Sequence, residues 1–140
     1  DYGTEVSVGR YDALNGLVLK GNGKGEFTAL SILQSGIFLP GNGKSMVQLR
    51  GKEGNALLAA SENRGPLKIF KQKLKVKTVP VTPADVSAVL QMKDRRTTPK
   101  DLTYGASFLS QSGRFLQLPE QVTGLEIKDA KGNLRRIQLN

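Results

Sequence analysis

The 140 residues make one ordinary domain or two small ones packed together, and the apolar 38% falls in short runs, none near the ~20 consecutive apolar residues of a membrane-spanning helix. Cysteine, histidine and tryptophan are absent, which excludes disulfides, cysteine-based zinc sites, thiolate nucleophiles and every Ser-His-Asp or Cys-His arrangement. With 21 basic against 12 acidic residues the formal charge is +9, a field that attracts phosphate, anionic lipid or acidic glycan.

The chain opens on Asp1-Tyr2-Gly3, with no initiator methionine and no signal-peptide pattern. It is therefore expected to be a segment of a longer protein whose targeting signal lies upstream. Residues 4–8 alternate like a strand. Residues 14–20 contain Leu17-Val18-Leu19 and run into Gly21-Asn22-Gly23-Lys24-Gly25, where glycine and asparagine tolerate the positive φ of a tight hairpin. Residues 36–40 read as a short strand ended by Pro40-Gly41-Asn42-Gly43. A strand over 45–50, a turn over 51–55, a buried strand over 56–60, a turn over 61–66 and a strand over 67–70 follow. Short strands at this regular spacing predict an all-β fold of antiparallel sheets.

Residues 74–81 read as one alternating strand, with Leu74, Val76 and Thr78 facing one way and Lys75 and Lys77 the other. Pro80 and Pro83 lack the donor of a central ladder, so the strand's end lies at an edge. A boundary near Gln72 divides the chain into subdomains 1–72 and 73–140. Residues 84–94 are ambiguous. Thr82, Pro83 and Asp85 resemble a helix start with Val86, Val89 and Leu90 on its face, whereas Val86, Ala88, Leu90 and Met92 would share one side of a strand. Strands are expected over 102–110 and 114–118. A terminal hairpin pairs 122–128 with 134–139, with a bulge expected in its last strand.

The densest charge is Lys68, Lys71, Lys73, Lys75 and Lys77, interleaved with apolar residues. It reads as a solvated strand face, or an edge guarded by lysine. The functional alternative is a polyanion face of Lys71, Lys73, Lys75 and Lys77. Gly41-Asn42-Gly43-Lys44-Ser45 approaches a phosphate loop, but Phe38 stands where the first glycine belongs and no helix-forming stretch follows. Ser107, Ser110 and Ser112 with Gln111 and Arg114 lack a base, so their expected role is to tie a turn, with Arg114 on a carboxylate or carbonyl. Tyr2, Tyr11 and Tyr104 are the candidates for a sugar platform, although a tyrosine in a β chain is more often core.

Four stretches resemble known families. Residues 17–27, Leu-Val-Leu-Lys-Gly-Asn-Gly-Lys-Gly-Glu-Phe, are similar to the hairpin of FG-GAP/VCBS propeller repeats, and residues 59–70 resemble the equivalent stretch of a next repeat. Tyr104-Gly105-Ala106-Ser107-Phe108-Leu109-Ser110-Gln111-Ser112-Gly113-Arg114 resembles the conserved segment of the ASPIC/UnbV-type domain that ends many such proteins, and 124–132 is similar to its final hairpin. The resemblance implies a propeller-blade-like part packed with a small β-sandwich-like part, and it tips residues 84–94 toward strand. It further implies a bacterial, extracytoplasmic and non-catalytic module, with preceding propeller repeats and a glycan or protein ligand as partners. Contacts to such a ligand are expected at Tyr104, Ser107, Gln111 and Arg114. The calcium loop often found in FG-GAP repeats would fall at Gly51-Lys52-Glu53-Gly54-Asn55, where one glutamate beside a lysine is too few ligands, so neither a metal nor another cofactor is expected. The alternative function is a stand-alone basic domain for polyanions, among which nucleic acid is disfavoured because no aromatic-basic interleaving occurs.

Overall fold

The computed structural model describes residue 7 and residues 14–73, 76–105 and 110–139. Tyr2, Tyr11, Lys75, Ser107 and the strand expected over 4–8 lie outside them, apart from Ser7, which stands in a turn. The described residues are all-β apart from one helical turn, and all paired strands run antiparallel. Among them no helix is long and apolar enough to cross a membrane.

The glycine-rich hairpin forms as expected. Strand β1 (Val18–Gly21) pairs with β2 (Phe27–Leu30), and Gly23 and Gly25 take the positive φ values of the turn. The single-turn helix α1 (Ile32–Ser35) follows, with Ser31 and Gln34 forming a reciprocal capping box and Gly36 closing it in the left-handed region. Residues 36–40, expected as a strand, join no ladder. Instead the chain leaves the helix at Gly36, the Leu39 N–H donates to Asn15 O, and Pro40 has no N–H to give.

A three-stranded sheet comes next, with β3 (Gly43–Arg50), β4 (Ala56–Glu62) and β5 (Lys68–Lys71) in the order β3-β4-β5. Its central strand supplies the buried Ala56, Ala59 and Ala60. Among the described residues strand β6 (Lys77–Pro80) pairs only with β9 (Phe115–Leu118), so Pro80 costs no second ladder there. The strand expected over 74–81 is thus shortened to its second half among the described residues, and Val76 lies outside it. Residues 84–94 resolve as strand β7 (Asp85–Met92). The signal that resembled a helix start is a turn: the Thr82 N–H donates to Asp85 Oδ2 at 2.7 Å and the Asp85 N–H to Thr82 O at 3.2 Å. Strand β8 (Thr97–Asp101) was not expected, since its residues are all exposed and include Pro99; it lies at a sheet edge, where both features are tolerated. The strand expected over 102–110 is absent from residues 102–105, and 106–109 lie outside the described residues.

The closing hairpin is β10 (Val122–Asp129) with β11 (Leu134–Gln138), giving a sheet of order β11-β10-β7-β8. The bulge expected in the last strand occurs elsewhere. The β10–β11 register is continuous, whereas β10 shifts against β7 at Val122/Gly124 and at Lys128/Asp129. The second shift releases Val86 to solvent and leaves Ala88, Leu90 and Met92 on the inner side.

One buried cluster joins the last two sheets: Val81, Leu116 and Leu118 from the β6–β9 side meet Ala88, Leu90, Val122, Leu125 and Ile127. Directly opposed residues share a sheet face, so Val79 and Leu116 look into this cluster while Thr78 and Gln117 look away. That second face meets the first half of the chain. Arg50 Nε donates to Thr78 Oγ1, Thr78 Oγ1 donates to Gly54 O at 2.8 Å, and Gln117 Nε2 donates to Gln48 Oε1. The β6–β9 pair therefore acts as a middle layer.

Candidate functional site

The stretch that carries the UnbV resemblance lies where the two halves meet. Ser110 Oγ donates to Met46 O, the Gln48 N–H donates to Ser112 Oγ at 3.0 Å, and the Gly113 N–H donates to Gln48 O at 2.7 Å. These bonds lay residues 110–113 along the outer edge of β3. Gln111 turns back on its own loop, accepting from the Gly105 N–H and donating to Ser112 O.

Arg114 sits at the centre of this junction. Its Nη1 donates to Leu102 O at 2.8 Å, and its Nη2 donates to Thr82 O at 3.0 Å and to Asp85 O at 2.7 Å. Its guanidinium carbon lies 4.2 Å from the centroid of the exposed Tyr104 ring, a cation–π contact. Of the four residues expected to contact a ligand, the structure brings Tyr104, Gln111 and Arg114 together. Gln111 and Arg114 spend donors on the chain's own carbonyls, and Ser107 lies outside the described residues. A cleft of about 720 Å³ opens beside them, with Ser45 and Ser61 on one wall, their hydroxyls 2.8 Å apart, and Leu39, Val81 and Leu116 in its lining.

The loop that approached a phosphate-binding pattern is closed internally. The Gly41 N–H donates to Glu62 Oε1 at 2.8 Å, so the chain's own carboxylate takes the place a phosphate would need, and β3 rather than a helix follows. Among the described residues no three acidic side chains come together to hold a metal ion.

A second cleft, of about 640 Å³, gathers the charge. Lys71 at the end of β5, Lys73 in the connection, Lys77 at the start of β6 and Lys93 in the β7–β8 turn line it together with Glu53 and Glu120. The lysines expected on one continuous strand face thus come from two sheets and the link between them. Lys77 opposes Leu118 on the core-side face of the β6–β9 pair instead of facing away from the apolar residues. Lys93 was missed, because nothing in its local sequence distinguishes it. Lys68 is drawn elsewhere, to Glu62 at 3.6 Å and to the Phe38 carbonyl and ring. Lys71 pairs with Glu53 at 3.5 Å, and both side chains are largely exposed.

Two turn carboxylates are electrostatically anchored. A side-chain hydrogen bond from Arg96 holds the Asp94 carboxyl below its ordinary value of 3.8 and raises the Arg96 guanidinium in return. In the β10–β11 turn the Asn133 side-chain amide, aided by backbone N–H groups, lowers Asp129 in the same way. No protein-family model matches this sequence, and no curated protein or solved structure is significantly similar to it.

Proposed function

We propose that this chain is a non-catalytic interaction and structural module at the C-terminal end of a β-propeller-type extracytoplasmic surface protein. In this reading residues 1–72 form an FG-GAP/VCBS blade-like unit and residues 73–140 an UnbV-like sandwich. The observation that carries it is the apolar surface of the first half. Leu33 is 98% exposed, and Phe27, Leu67 and Ile69 are all more than half exposed, spread over β2, α1 and the β5 region. Large apolar side chains left in solvent on several elements of one half support a surface that meets another protein, and a preceding repeat would cover them as one blade covers the next. The non-catalytic part of the reading is supported by the residue types the chain lacks and by Ser110 and Ser112, whose hydroxyls bond the backbone of β3.

The test is the triple variant Phe27→Ser, Leu33→Asp, Ile69→Thr. In the isolated chain it should change stability by no more than about 1.5 kcal/mol, about 0.5 kcal/mol for each substitution at an uncovered position. In the full-length protein it should lower the melting temperature of the C-terminal unit by several degrees. Equal destabilisation in both settings would mean that the chain buries these residues itself, and the reading would fail. A second reading, a stand-alone basic domain for polyanions, is favoured by the meeting of Lys71, Lys73, Lys77 and Lys93 at one cleft.

A further inference from the structure

We infer that the lysine-lined cleft between the end of β5, the start of β6 and the β7–β8 turn is the binding site for a multiply anionic oligosaccharide. This rests on the polyanion-binding reading and gives it a place and a ligand class. The cleft's volume of about 640 Å³ suits a small-molecule or short-chain ligand. Four lysines face two carboxylates there, and a concave wall concentrates the field of that excess. Among the described residues no hydrogen bond or ion pair engages the Lys73 or Lys93 ammonium. The Lys71–Glu53 contact is long and exposed, so an incoming anion displaces it at little cost.

The site is also held in place. The Lys93 backbone N–H donates to Gln121 O at 2.8 Å, and the turn is closed by the Met92 N–H donating to Arg96 O and the Arg95 N–H donating to Met92 O. In the same lining the half-buried Val76 and Leu139 and the exposed Pro119 supply apolar surface, and the Thr123 hydroxyl, whose proton goes to Gln91 O at 3.2 Å, keeps its lone pairs for a ligand. A ligand with charged groups, hydroxyls and an apolar ring face meets all three kinds of surface. Among the described residues no aromatic side chain lines the cleft. Aromatic rings are what single-stranded nucleic acids stack on, so charge rather than stacking selects the ligand. A concave recess likewise suits a chain-like anion better than a flat bilayer.

The experiment is calorimetric titration of the whole chain with a heparin hexasaccharide and with an oligogalacturonate. These two probes separate sulfate from carboxylate as the anionic group. Binding of either, weakening steeply with added salt, is expected. The double variant Lys73→Glu, Lys93→Glu should lose at least tenfold in affinity. The charge-matched control Lys20→Glu, Lys24→Glu, on the β1–β2 hairpin, should lose no more than two- to threefold. Since Lys73 and Lys93 are exposed, both doubles should melt like the parent chain, and amide shifts in the parent on saccharide addition should centre on Lys93 and Thr123. Equal weakening by the two doubles would overturn the site and leave only diffuse attraction by net charge. Tighter, cleft-dependent binding of a single-stranded oligonucleotide or of anionic vesicles would overturn the ligand class. Absence of binding by any polyanion would remove the site and the polyanion reading together.

Discussion

Arg114 shows how one side chain can gather the ends of several elements. The Thr82 turn, the entry to β7 and the exit from β8, the last two already joined by the β7–β8 ladder, each deliver a carbonyl to its guanidinium. Only arginine presents several donors in a rigid fork, and lysine would leave at least one of these carbonyls unpaired. Arg114→Lys is therefore expected to destabilise the chain by about 2–3 kcal/mol, measured as a shift in the chemical-denaturation midpoint. A loss below about 0.5 kcal/mol would show that water replaces the fork. Nearby, Asp85 Oδ2 accepts from Arg135 at 2.7 Å as well as from the Thr82 N–H, so one oxygen of a buried carboxylate is held twice beside the same junction. The sequence pattern made it legible that Arg114 would serve a carbonyl or carboxylate. Which carbonyls it serves was not legible, because they come from positions 12 to 32 residues away.

The turns carry much of the register among the elements. In the β10–β11 turn, Asp129 Oδ1 accepts from the N–H groups of Lys131 and Asn133, and Oδ2 accepts from the Asn133 side chain. A carboxylate whose folded value lies below its unfolded one stabilises above the unfolded value, and that contribution is lost as pH falls through the folded value. For Asp129 the window begins near its ordinary 3.8 and extends below it. Asp129→Asn should thus melt lower than the parent at about pH 6, and the two should converge toward about pH 3. A constant difference across that range would exclude the carboxylate as its source. Hairpins at β1–β2, β3–β4 and β10–β11 were legible because alternating strands flank turn residues. Strand β8 was hidden because Thr97-Thr98-Pro99-Lys100-Asp101 is polar on both faces, and an edge strand demands no apolar pattern. The short strand expected over 36–40 failed for the converse reason: apolar residues are present, yet among the described residues no neighbouring strand pairs with them.

The whole molecule is uneven in how it buries its residues. Leu118, Leu125 and Ile127 are each 1% exposed, and all lie in the second half. In the first half the buried hydrophobics are Leu39 and three alanines of β4, among the described residues. Leu125→Ala should accordingly cost about 2–5 kcal/mol, the range for a leucine emptied from a close-packed core, and it should disrupt the β7–β11 sheet as a unit. If amide exchange showed only local opening around Leu125, the two sheets would not share a cooperative core. The lysine cleft belongs to this scale too. Its charges come from β5, β6 and the β7–β8 turn, so a periodicity reading that placed Lys71 to Lys77 on one strand found three of the four described lysines and attributed them to the wrong geometry.

The strand order β11-β10-β7-β8 bears on how the chain is made as well as how it rests. Strand β7 is synthesised well before β10, and Ala88 and Leu90 face inward only once Leu125 and Ile127 are there to cover them. On the ribosome, the apolar side of β7 has only the polar β8 hairpin within its own sheet, and Val81, Leu116 and Leu118 from the facing pair, until Asp129 has emerged. The lysines at 71, 73, 77 and 93 then flank the uncovered stretch in the nascent chain, where like charges keep neighbouring nascent chains apart until the central strand arrives.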